Sequence, residues 1–139
     1  MALTKDTPRD YGAELETRME PRVAANTRIY NGAFLGVVVG TGHVRGLVAL
    51  DVFAGVAMEP CDNVGGAAAA KRVKAATRGQ LRKISVTGVT DATSIGAAVY
   101  ASDDGTLTTT STNMTRIGKV YDWVSGAICD VAFDVAATA

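Results

Sequence analysis

Residues 95–119 read IGAAVYASDDGTLTTTSTNMTRIGK, and the Asp103-Asp104-Gly105 step at their centre constrains the fold more than any other feature. Val99, Tyr100 and Ala101 lead into it and Thr106–Thr110 lead away, so an acidic, glycine-closed turn separates two runs suited to strands. Glycine accepts the positive φ that a tight turn between paired strands requires, which makes Asp-Gly in this setting a strong hairpin signal. A second hairpin is expected from residues 119–124 and 127–135, which flank Ser125-Gly126. In its second arm Cys129, Val131, Phe133 and Val135 share one face, while Ile128, Asp130, Ala132 and Asp134 share the other. Strict alternation of this kind marks a half-buried strand. In the partner arm Tyr121 and Trp123 fall on one face, with Val120 and Val124 opposite.

Shorter strands are expected at residues 28–30, 33–39, 47–50, 52–58 and 81–86, separated by glycine. Residues 67–77 allow two readings. Four alanines followed by Lys71-Arg72-Val73-Lys74 favour a helix on propensity. Gly65, Gly66 and Gly79 bracket the segment and favour a strand, paired with 81–86 in a hairpin around Arg78-Gly79. Strands at this spacing predict an all-β fold, a small β-barrel or β-sandwich. Residues 1–22 differ from the rest: charges alternate with Pro8, Gly12 and Pro21, and apolar residues are sparse. They predict an extended N-terminal arm outside a β domain of residues 23–139, with a short helix over 13–19 as the alternative.

A chain of 139 residues suits one domain. Only 6% of its residues are aromatic, so the core is thin, a composition that leans towards association with a partner. Zero net charge supplies no field to draw it to nucleic acid or an anionic membrane. Charge is nevertheless uneven. Lys71, Arg72, Lys74, Arg78, Arg82 and Lys83 form a basic stretch, and Asp91, Asp103, Asp104, Asp122, Asp130 and Asp134 dominate the last third. Solvated strand faces account for this, as does complementary charge between neighbouring copies. The basic stretch lacks interleaved aromatics for base stacking, which argues against nucleic acid.

Cys61 and Cys129 form no CxxC pair, and a disulfide between them requires Cα atoms within about 7 Å. The polar start MALTKDTPRDYG is unlike a signal peptide. The most apolar run, residues 33–39, is far shorter than the about 20 residues of a membrane span. Synthesis in a reducing cytoplasm is the expectation. Chemistry is sparse. The single histidine, His43, lies in the turn-like Gly40-Thr41-Gly42-His43, and a triad is recognised by geometry, not by residue counts. GxGxxxG within residues 40–46 is one residue too long for a dinucleotide fingerprint and precedes no helix pattern. Asp103-Asp104 lacks the further oxygens and glutamate of a calcium loop. No catalytic residue, metal or cofactor is expected.

Four pieces of the chain carry a family resemblance: TKDTPRDYG (4–12), VAANTRIYNGAFL (23–35), GVAMEPCDNVGGAA (55–68) and residues 95–119. In this order they resemble the capsid decoration, or cement, proteins of tailed bacteriophages. The resemblance implies a non-enzymatic virion protein on the outer surface of the head, binding the major capsid protein and copies of itself. A trimer is favoured and a dimer is the alternative; no nucleic acid or membrane partner is implied. It also favours a strand at 67–77 with Val73 and Ala75 inward. Capsid contact is then expected on the arm, at Thr4, Thr7, Pro8, Arg9, Tyr11, Leu15, Arg18, Pro21 and Arg22. Charge between copies is expected at Lys71, Arg72, Lys74 and Arg78. A tail-tube or baseplate subunit is the leading alternative, and a carbohydrate-binding β module a more distant one.

Overall fold

A computed structural model describes residues 2–12 and 20–138. The fold is all-β. Strands β7 (Arg78–Thr87), β8 (Ala98–Ala101), β9 (Leu107–Thr108), β10 (Thr115–Ser125) and β11 (Ile128–Asp134) close a barrel in the order β10-β11-β7-β9-β8. Four of its five joints are antiparallel and one, β7 with β9, is parallel. The earlier half of the chain builds a four-stranded sheet from β2 (Phe34–Val37), β3 (Val44–Gly46), β4 (Val52–Ala57) and β6 (Ala75–Ala76), ordered β3-β2-β4-β6. A two-stranded ribbon of β1 (Thr27–Ile29) and β5 (Cys61–Asn63) completes the fold.

The four-stranded sheet lies between two cores, because side chains alternate across a strand. Phe34, Phe53, Val56 and Ala76 point towards the barrel, where they join Leu81, Val99, Ile117, Val131 and Phe133. Leu35, Val44, Ala57 and Ala75 point the other way, onto Val23, Ile29, Cys61 and Val73. Both expected hairpins form: β8 pairs with β9 across the Asp103-Asp104-Gly105 turn, and β10 pairs with β11. Cys129, Val131 and Phe133 are buried as their alternation predicts. Cys61 and Cys129 are free thiols, buried in different cores.

Several expectations change. The hairpin around Arg78-Gly79 does not form: β6 pairs with β4 in the sheet, while β7 pairs with β11 and β9 in the barrel. The chain crosses between the two layers at this point. Residues 67–77 are neither helix nor continuous strand. Their amides bond outwards, Ala69 to the Val23 carbonyl and Val73 to that of Pro21, which leaves only Ala75–Ala76 in a ladder. Val73 and Ala75 are buried as expected. The strand expected at 47–50 is displaced to β3, because Asp51 closes a turn on Val48: its amide donates to the Val48 carbonyl and its carboxylate accepts the Val48 amide. In β10 a register shift between Val120 and Asp122 breaks the alternation. Val120 stays buried, Tyr121 and Val124 are exposed, and Trp123 packs partly against the core.

Residues 2–12 of the arm belong to the body. Leu3 and Tyr11 pack against the two cores, so its few apolar residues are used after all. The Asp10 carbonyl accepts from the Arg82 amide, and the Gly12 amide donates to the Gln80 carbonyl. This pairing covers Gln80–Arg82 of β7, beyond the stretch Val86–Thr87 that β9 bonds. The helix considered over 13–19 lies outside the described residues.

Candidate functional site

No cluster of three or more metal-ligating side chains occurs among the described residues.

The N-terminal strap forms the first surface. Thr4 and Pro8 are exposed. The Thr7 amide donates to the Asn31 carbonyl at 2.7 Å, and the Asn31 amide donates to the Asp6 carboxylate at 2.9 Å. Arg9 donates through Nε to the Gly32 carbonyl at 2.9 Å, and its guanidinium lies 5.1 Å from the Phe34 ring centroid. Arg9 Nη2 and Tyr11 Oη are buried without a hydrogen-bond partner among the described residues. Burial dominates the electrostatics here. It lowers the Arg9 pKa against the pull of Tyr11 and Asp104, and it raises that of Tyr11. Asp104 is also raised by burial, although its carboxylate accepts the Leu3 amide at 2.9 Å. Leu15 and Arg18 lie outside the described residues.

The basic residues form the second surface. Pro21 is half-buried and accepts from the Val73 amide, whereas Arg22 is exposed and paired in an antiparallel bridge with Arg72. One residue expected to touch a capsid and one expected to meet a neighbouring copy therefore stand side by side. Lys71 donates to the Asp62 carbonyl and Arg72 to that of Glu20, while the Lys74 amide donates to the Glu59 carboxylate. Arg78 stands opposite Asp134 across the β7–β11 ladder, and the Lys83 amide donates to Asp130. Part of the opposed charge expected between copies thus lies between adjacent strands of one chain.

The third surface was not anticipated. Leu50 sits at φ +77°, a left-handed conformation that branched apolar side chains rarely adopt, and it is 65% exposed. Its neighbour holds it there. Asp51, itself buried, receives Arg45 Nε and Nη2 at 3.0 and 2.9 Å and the Val48 amide at 3.0 Å. Its carbonyl accepts the buried Thr115 hydroxyl at 2.7 Å. The bidentate bond to Asp51 raises the Arg45 pKa. Val39, Val48 and Val52 are also exposed. Within the sequence these residues read as strand, since nothing local shows that Asp51 turns back onto Val48.

No protein-family model and no curated protein sequence matches the chain.

Proposed function

We propose that this protein is a non-enzymatic decoration protein of a tailed-phage head, bound to the outside of the shell and cementing major capsid protein subunits. The supporting observation is that the four pieces carrying the family resemblance meet in one place. Thr7 and Arg9 of the first bond Asn31 and Gly32 of the second. The Gly32 amide donates to the Ala57 carbonyl of the third. The Asp104 carbonyl of the fourth accepts the Phe34 amide, while its carboxylate holds Leu3 beside the first. Segments spread over a hundred residues of sequence thus form one structural unit, which suits a family defined by architecture more than by chemistry.

The physical task fits such a body. Packaged DNA pushes the shell outward, and a ligand that binds only the assembled lattice stabilises it by mass action, summed over many copies. Rigid surface anchors such as Leu50 suit that task because little ordering entropy is lost when they bind. Capsid contact is assigned to the face around the strap and Arg22. Association with copies of itself, as a closed trimer, reinforces it. Co-sedimentation tests the reading: the chain should pellet with expanded, undecorated heads and stay in the supernatant with tail tubes or with insoluble polysaccharide. Pelleting with tubes instead would transfer it to the tail, and pelleting with polysaccharide alone would make it a sugar-binding module.

A further inference from the structure

Arg22 and Arg72 stand directly opposite each other across an antiparallel bridge. The Val23 amide donates to the Lys71 carbonyl at 2.9 Å and the Val73 amide to that of Pro21 at 3.1 Å, so the arginines form the pair between these bonds. Residues so placed lie with Cα atoms about 4.5 Å apart and project from one face. Val23 and Val73, the next residue along each segment, are fully buried. Alternation therefore sends both arginines outward, and both are exposed. On its other side the Arg22 segment runs parallel to β3: the Val44 amide donates to the Arg22 carbonyl and the Ala24 amide to that of Val44. His43, one residue before buried Val44, thus falls beside Arg22 on the same outer face. A row Arg72–Arg22–His43 crosses three adjacent segments.

Like charges directly opposite each other destabilise paired strands. Among the described residues neither guanidinium is in an ion pair that would offset this. Arg72 Nη1 donates to the Glu20 carbonyl, not its carboxylate, and Lys71 Nζ likewise takes the Asp62 carbonyl. The neighbouring carboxylates are engaged by main chain: Asp62 accepts the Val64 amide and Glu59 the Lys74 amide. We infer that Arg22 and Arg72 together dock an acidic segment of a partner protein, receiving one carboxylate between the two guanidiniums. Guanidinium forks match the oxygens of a carboxylate, and a carboxylate shared by both removes their repulsion as it binds. His43 adds an N–H donor at the end of the row. The chain has zero net charge, so no long-range field gathers a polyanion, and a short acidic segment is what two adjacent forks can hold. This clamp deepens the head-binding reading and rests on it for the identity of the partner, the outer surface of the shell. A residue expected to touch the capsid and one expected to meet a neighbouring copy then serve a single contact.

Fluorescence anisotropy of labelled hexaglutamate, titrated with the full chain at low ionic strength, is the experiment. The parent chain should bind the peptide. Arg22→Gln and Arg72→Gln should each weaken binding roughly tenfold, and the double variant little further, because one fork alone does not close the clamp. Arg116→Gln, which removes an exposed cation from β10, should bind as the parent does. No binding by the parent, equal weakening by Arg116→Gln, or tighter binding of labelled hexathymidylate than of hexaglutamate would overturn the inference. Arg22→Gln should also melt no lower than the parent, since it relieves repulsion; a lower melting temperature would reveal a guanidinium partner within the chain and overturn it too. Undecorated heads supply a second arm. A parent that pellets with heads, matched by an equally retained double variant, would overturn the clamp as the contact. A parent that binds hexaglutamate through both arginines but never pellets with heads would support the clamp and defeat the head-binding reading alone.

Discussion

Phe53 of β4 and Phe133 of β11 meet edge to face, with ring centroids 6.3 Å apart and planes at 83°. One ring belongs to the four-stranded sheet and the other to the barrel, so this contact couples the two halves of the chain. Edge-to-face pairs add about 0.5–1.5 kcal/mol beyond the area they bury. Phe133→Ala is expected to destabilise the protein by about 3–5 kcal/mol. Asp130→Ala, on the outer face, should lose only the bond from the Lys83 amide, about 1 kcal/mol. Denaturant melts compare them, and equal losses would contradict the assigned faces.

Residues 2–12 contribute to the fold as well as to any partner. Their removal bares Phe34 and the β7 edge at Gln80–Arg82, so the shortened chain should melt earlier and exchange the Arg82 amide faster. Tyr11→Phe should be neutral or stabilising, since it deletes a buried hydroxyl that has no partner among the described residues. Tyr11→Ala should destabilise by loss of packing. A marked loss in Tyr11→Phe would show that the hydroxyl is satisfied, by water for example.

Gly32→Ala should release the strap. Gly32 has φ +85°, and an added Cβ would overlap the Thr7 carbonyl, whose residue's amide is bonded to Asn31. The left-handed backbone alone costs an alanine about 1–2 kcal/mol. Faster exchange of the Thr7 and Gly12 amides, with the β10–β11 amides unchanged, is the expected signature.

Asp104 makes stability depend on pH in a defined direction. Burial holds its carboxyl above the ordinary value of 3.8, so the folded state binds this proton more tightly than the unfolded chain does. The contribution is therefore most favourable below the ordinary carboxylate value and is lost as pH rises through the folded one. Asp104→Asn keeps an acceptor for the Leu3 amide and removes the titration. Relative to wild type, its stability should improve between acid and neutral pH. Parallel curves for the two proteins would contradict the assignment.

The two hairpins of the second half were legible because each joins neighbouring segments by a turn that local chemistry specifies. Phe133 and Val131 declared their burial by alternation alone. The pairing of β7 with β9 and the layer change at Thr77 were not legible, since both depend on strands distant in sequence. Leu50 and Tyr121 show why the candidate surfaces were missed. Both looked like strand residues; the Asp51 bonds, formed only in the folded chain, hold Leu50 in its exposed turn, whereas Tyr121 is exposed as alternation from buried Val120 requires. The strap was misjudged for a related reason: two apolar residues, Leu3 and Tyr11, suffice when the main chain also pairs.

Heating DNA-filled heads tests the cementing claim most directly. Heads stripped of this protein should release their DNA at a lower temperature than decorated ones. Adding back the purified chain should restore the higher release temperature, in proportion to occupancy and up to saturation. Release at the same temperature with every site occupied would contradict a cementing role.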